Sequence, residues 1–203
     1  MRDRLAIDPG SRLLDLGCGE GGPGLWLASQ ADAELIGVDF SLVALRSAAR
    51  RASAFLPAGR SRFVAGAFSA IGLADASIDA AVSFDAFIFC ADKAAGFREL
   101  HRVLRPGAHF AFTLAEVIDP AQATGLRLAD HRPLVAAAKL QILHYAETEG
   151  WREPQRRTYQ LWLEHADDLR ADLGEATAEA LLDEARRVGA QLDSMRRMLL
   201  IGA

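Results

Sequence analysis

Cysteine is nearly absent: Cys18 and Cys90 are the two in 203 residues, and their spacing fits neither a disulfide framework nor a metal knuckle. The five histidines form no HxxxH or HxH pair, so no metal is expected. No run approaches the roughly 18 apolar residues that span a bilayer, so no membrane partner is expected either. The N-terminus, MRDRLAIDPGSRLLDLGCG, lacks the form of a secretory signal. With so few thiols, this points to the cytoplasm. An excess of positive charge is also missing. The net charge is -4, and Lys and Arg are scattered rather than gathered in a stripe, so nucleic acid is not an expected partner.

What the chain does have is apolar content, 51% by the broad count, enough for one compact domain over residues 1–203. Short runs rich in Val, Ile, Leu and Phe alternate with Ala-rich helical patterns, the sequence form of repeated βαβ units. The spacing predicts strands at Arg12–Leu16, Glu34–Asp39, Arg62–Ala65, Ile78–Phe84 and Ala108–Leu114. Helices are predicted at Gly22–Gln30, Ser41–Ser53 and Lys93–Leu104, with Arg105–Gly107 as the stop after the third. Further on, Leu128–Lys139 reads as helix and Leu140–Thr148 as strand. Two long amphipathic helices follow, Gln155–Leu173 and Glu175–Met195, and Met198–Ile201 reads as a last strand. The segment 151–195 is a candidate lid, dimer surface or covering layer, and a homodimer stays open as an assembly.

The chemistry is concentrated in LLDLGCGEGG, Leu13–Gly22. A buried strand ends in Asp15, and glycines at a strand-to-helix turn let backbone approach a ligand while the helix offers free N–H groups. The second strand ends in Asp39, where a carboxylate can accept from both hydroxyls of a ribose. Gly17, Gly19 and Gly22 match the dinucleotide fingerprint literally. Asp15 argues against a dinucleotide, because unit negative charges about 4 Å apart repel by roughly 4 kcal/mol at an effective dielectric near 20. A cationic ligand without phosphate suits the site better.

LLDLGCGEGG, GVDFS and ELHRVLRPG, in that order, resemble three motifs of the class I S-adenosylmethionine-dependent methyltransferases, and the likeness is specific over about Arg12 to Thr113. It implies an α/β, Rossmann-like, doubly wound and mostly parallel seven-stranded sheet, with helices on both faces and a helical insertion before the last strand. It implies S-adenosyl-L-methionine as cofactor and methyl transfer to an N, O or C nucleophile of a small molecule. By the resemblance Asp15, Gly17 and Gly19 line the methionine side; Cys18, inside the same cofactor-binding loop, is expected to pack there as a small side chain. Asp39 takes the ribose, Phe40 and Ser41 flank the adenosine, and Phe68 lies beside the adenine. Ala67 stands where relatives commonly carry an Asp for the adenine amino group. Phe84 and Asp85, ending the fourth strand, are expected to face the cofactor, and Asp85, His131, Tyr159 and Trp162 are candidate substrate contacts. Relatives carry helices ahead of the first motif. Here Met1–Ser11 precede it, so either the pocket is more open or the roof comes from Trp151–Met195 or another subunit. The alternatives are a non-catalytic S-adenosylmethionine binder and an NAD(P)-dependent oxidoreductase.

Overall fold

The computed structural model describes residues 5–203, which leaves the first four residues of the Met1–Ser11 stretch outside the described part. Seven strands form one sheet: β1 Arg12–Leu16, β2 Glu34–Asp39, β3 Ser61–Ala65, β4 Ile78–Ser83, β5 Leu104–Val117, β6 Ile142–Glu147 and β7 Met195–Gly202. Their spatial order is β3-β2-β1-β4-β5-β7-β6, and β7 runs antiparallel to both of its neighbours. The expected α/β class, the doubly wound sheet and the helical insertion before the last strand are all present.

Side-chain alternation along the strands divides the core into two layers. Leu14, Ala81, Phe110 and Phe112 face one layer, while Leu13, Ala80, Val82 and Ala111 face the other. Helix α1, Gly22–Ala31, covers the second layer through Leu25, Leu27 and Ala28. Helix α3, Lys93–Val103, covers the first through Phe97, Leu100 and Val103. The helix starts follow from local chemistry. Gly21 holds a left-handed φ of 79° just before α1, and Pro23 sits in that helix's first turn, where its missing N–H costs nothing. Ser41 and Asp92 accept from Ala44 N and Ala95 N to cap α2, Leu42–Arg51, and α3.

Several expected boundaries move. The third helix stops at Val103, and the strand after it begins at Leu104 instead of Ala108. Ile78 pairs with Leu104 and Ala80 with His109, so Arg105, Pro106 and Gly107 bulge out of a ladder that has already begun. The expected helix Leu128–Lys139 shrinks to α4, Arg132–Ala137. The expected helix Gln155–Leu173 breaks at His165 into α5, Arg152–Glu164, and α6, Ala166–Leu173. Helix α7, Glu175–Gly189, ends six residues short of Met195, because Met195 already pairs with Val117 in β7. Helices α5 to α7 carry a small core of their own around Tyr159, Ala185 and Leu192, with Trp151, Trp162 and Val188 packed on it. Among the described residues no helix is long and apolar enough to cross a membrane.

Phe97 is fully buried with its ring centroid 4.7 Å from that of Phe87. Phe97→Ala is therefore expected to cost about 3–5 kcal/mol of stability in urea unfolding. Trp26, which is 59% exposed on the outer side of α1, should change it by less than about 0.5 kcal/mol when replaced by Ala.

Candidate active site

The glycine turn after β1 is held against the end of β2 by backbone and side-chain hydrogen bonds. Gly17 N and Cys18 N donate to Val38 O at 2.8 and 3.1 Å. Gly19 N donates to Asp39 Oδ2 at 2.8 Å, and Ser41 N donates to the other oxygen, Oδ1, at 2.8 Å. Gly17 and Gly19 both have positive φ, 76° and 51°. A Cβ on Gly17 would stand 2.5 Å from that of Ala86, so only glycine fits there; at Gly19 the same position is open space.

Asp15 is buried beneath this turn. Its carboxylate accepts from Gly24 N in the first turn of α1, and a Cβ on Gly24 would lie 2.2 Å from its Oδ2. Burial, with a smaller push from Asp39, raises the Asp15 carboxyl from 3.8 to about 7, against the pull of the Gly24 hydrogen bond. Cys18 turns inward, with Sγ 3.6 Å from Gly19 O and packed against Gly37. Burial and the neighbouring carboxylates push its thiol up to about 12, so it is no nucleophile at neutral pH.

A cavity of about 590 Å³ opens at the carboxyl ends of β1, β2 and β4, within the size range of small-molecule sites. Its walls include Gly17, Gly19, Asp39, Phe40, Ala67, Phe68 and Asp85. Seven of the predicted residues are thus brought together. Ala67 sits in a tight turn, exchanging backbone hydrogen bonds with Ala70, and its side chain is exposed with room to grow. Phe68 packs edge-on against Phe87 with centroids 5.2 Å apart, which anchors that wall to the core. Asp39 has spare acceptor capacity, since an ionised carboxylate offers about four lone-pair sites and two are used.

A second cavity of about 540 Å³ lies between the sheet and the helical insertion, and Asp85 and Phe89 line both. Trp151, Tyr159, Leu192 and Met195 form its apolar side. Sequence reasoning missed most of its polar residues, among them Arg127, Gln155, Glu184, Arg196 and Arg197. The available signal was MRRMLLIG, a strand interrupted by two adjacent arginines. A third hollow, of about 380 Å³ around Arg12, Glu34 and Arg62, lies at the opposite end of the sheet, and none of the predicted residues lines it.

Other predicted contacts lie elsewhere. Asp15 and Cys18 do not line the first cavity; they support its floor from below. The Ser41 hydroxyl is spent on capping α2 through Ala44 N at 3.2 Å. Phe84 follows Ala80 and Val82 in the strand's two-residue alternation, so it packs into the layer under α1 instead of facing the cavity. His131 is 1% exposed, with Nδ1 3.0 Å from Glu116 Oε1, and lines neither cavity. Trp162 stays in the insertion's own core, 5.5 Å from the Tyr159 ring, while Tyr159 reaches the second cavity and donates to Glu184 Oε1 at 2.8 Å. Asp85 is not a free carboxylate: it has an unusual φ of 53°, accepts from Thr113 Oγ1 at 2.9 Å and pairs with Arg197.

Residues 14–112 match the family model of the methyltransferase domain. The O-methyltransferase cnsE of Penicillium expansum is 27% identical over 209 aligned positions, covering 96% of this chain and 75% of the relative. The chain spans 28–48% of the length of several other curated methyltransferases it matches. The crystal structure of the [4+2]-cyclase SpnF superposes with a TM-score of 0.85 at 22% identity, covering 99% of this chain and 77% of that one. The S-adenosylhomocysteine complex of a methyltransferase from Geobacter sulfurreducens superposes at 0.73 with 18% identity, covering 99% and 87%. The match over residues 14–112 and the fold together support a class I S-adenosylmethionine-dependent methyltransferase.

The Asp15 carboxyl has a sign-specific signature. Its pKa is higher in the folded state, so its contribution to stability is full below pH 3.8, declines as pH rises, and is lost above about 7. Asp15→Asn should flatten that part of the pH–stability profile, removing a change of a few kcal/mol at about 1.4 kcal/mol per unit. Urea unfolding of both proteins between pH 4 and 8 measures it, and parallel profiles would refute the burial of Asp15 described above.

Proposed function

We propose that this protein transfers the methyl group of S-adenosylmethionine to a small-molecule nucleophile held in the second cavity. The observation that carries this reading is the meeting of the two cavities at Asp85 and Phe89, at the carboxyl ends of the central strands. When bound, the cofactor supplies a methyl group already activated by a positive sulfur.

The first cavity supports that ligand by chemistry as well as shape. The spare lone pairs of Asp39 suit two ribose hydroxyls, and the open space above Gly19 lets a ligand reach the backbone. Phe40, Ala67 and Phe68 suit an adenine, held by packing and backbone because Ala67 supplies no carboxylate. A pyrophosphate would need the amides at the start of α1, and Gly24 N is already bonded to the Asp15 carboxylate. That favours a phosphate-free cofactor over NAD(P). The helical insertion would supply the roof, excluding water and holding the acceptor in near-attack geometry, which can account for several kcal/mol of a displacement barrier. Arg197 and Thr113 fix the Asp85 carboxylate at the junction, which supports a positioning role for it. The acidic net charge supports a small molecule over a nucleic acid as partner, and the two free, buried thiols support the cytoplasm.

S-adenosylhomocysteine should raise the melting temperature, since a ligand that binds only the folded state stabilises it, and NAD should give little or no shift. Asp39→Asn should weaken that binding by about 1.5–3 kcal/mol in calorimetric titration, the range for hydrogen bonds to a charged group. No shift at millimolar S-adenosylhomocysteine overturns the cofactor assignment.

Ala67→Asp should tighten binding by about 1 kcal/mol through one net hydrogen bond to the adenine amino group. An inosine analogue of the cofactor, which presents a carbonyl there, should bind the Asp variant less well than it binds the present sequence. Equal binding of both analogues by both proteins would remove the adenine from this wall.

A further inference from the structure

The second cavity is mostly apolar, but its polar groups are unevenly satisfied. Asp85 is neutralised by Arg197, and Glu184 accepts the Tyr159 hydroxyl. Arg187 pairs with Asp183 at 3.1 Å. Arg127 is different: it donates to the neutral amide of Gln191, and among the described residues it forms no ion pair. Arg196 is different again. Its guanidinium touches Glu116 Oε2 at 3.4 Å and Ala129 O at 3.1 Å, yet its Nε is buried with no hydrogen-bond partner. That unpaired Nε lies out of reach of the cavity, so the part of the side chain open to a ligand is the guanidinium edge that lines it.

The setting of Arg196 is built for rigidity. Glu116 is 2% exposed and also accepts from His131 N at 2.9 Å, lies 3.0 Å from His131 Nδ1, and takes the Tyr145 hydroxyl. Arg196 is its cross-strand partner in the β5–β7 ladder. The guanidinium is thereby fixed by buried groups on its far side while its side chain, 37% exposed, borders the cavity. A planar fork held in place binds a carboxylate with less loss of rotamer freedom than a free one.

Resting on the acceptor being seated in this cavity, we propose that the methyl acceptor is an apolar molecule bearing a carboxylate, with Arg196 and Arg127 as the groups that bind it. Arg127 offers a charge that no ion pair already holds, while Glu184, bonded to the Tyr159 hydroxyl, and Asp85 disfavour a dianionic phosphate more than a single carboxylate. The rest of the acceptor lies against Trp151, Tyr159 and Met195.

Isothermal titration with octanoate, octanol and octylammonium tests the carboxylate preference, each run with and without S-adenosylhomocysteine. Octanoate is expected to bind at least tenfold tighter than octanol, with octylammonium weaker than both. Arg127→Gln and Arg196→Gln should each lower octanoate affinity about tenfold while leaving octanol and S-adenosylhomocysteine binding unchanged. Arg127→Gln keeps the test decisive if removing Arg196 leaves Glu116 unbalanced and the chain fails to fold. Equal affinity for octanoate and octanol, or equal loss of both in Arg127→Gln, overturns the proposal. Absence of S-adenosylhomocysteine binding with octanoate selectivity intact would instead overturn the methyl-transfer reading alone.

Discussion

The hydrogen bond from Gly19 N to the Asp39 carboxylate, together with those from Gly17 N and Cys18 N to Val38 O, fastens the turn after β1 to the end of β2. The rest of the first cavity depends on that seam. It holds two glycines in conformations that L side chains rarely adopt, brings Gly17 against Ala86 and Phe68, and leaves Gly19 facing open space. It also sets the height of α1 above the sheet. Gly24 then approaches Asp15 so closely that a methyl group would collide with the carboxylate. The buried acid, the glycine helix and the ligand-facing turn are one arrangement, in which each part fixes the spacing of the next.

The carboxyl half of the chain is organised by a different polar centre. Burying Glu116 would cost several kcal/mol unless its oxygens were satisfied. Here they meet His131, Tyr145 and Arg196, which come from the segment before α4, from β6 and from β7. That network joins β5, β6 and β7 behind the second cavity, where apolar packing alone would leave the strands free to slip. His131 is part of this scaffold, linked to Arg196 through Glu116.

The insertion between β6 and β7 supplies what the β1–β5 half lacks, a wall facing the strand ends. Its Tyr159 and Trp162 sit three positions apart on α5 and divide the work: one reaches the cavity, the other completes the small core that keeps the helices together. The Asp85 carboxylate, bound to Arg197 from the last strand, ties this half to the crevice formed by the first half.

The glycine turn, Asp39 at the end of β2 and the order of the first strands and helices were legible in the sequence, because each rests on local rules: positive φ for glycine, caps for helix starts, alternation for strands. The likeness of three short motifs then named a cofactor that spacing alone left open against NAD. Side-chain destinations were decided only by the fold. Phe84 is a strand-end aromatic in the sequence, but the parity of β4 sends it under α1. Cys18, Ser41 and His131 read as pocket residues until packing, a helix cap and a buried carboxylate claimed them. The break at His165 and the bulge at Arg105–Gly107 likewise follow from how neighbouring elements seat. The second cavity was least visible of all, since Asp85 and Arg197 stand 112 positions apart. Local propensity carries no information about such a pair; strand order, register and the antiparallel course of β7 bring it together.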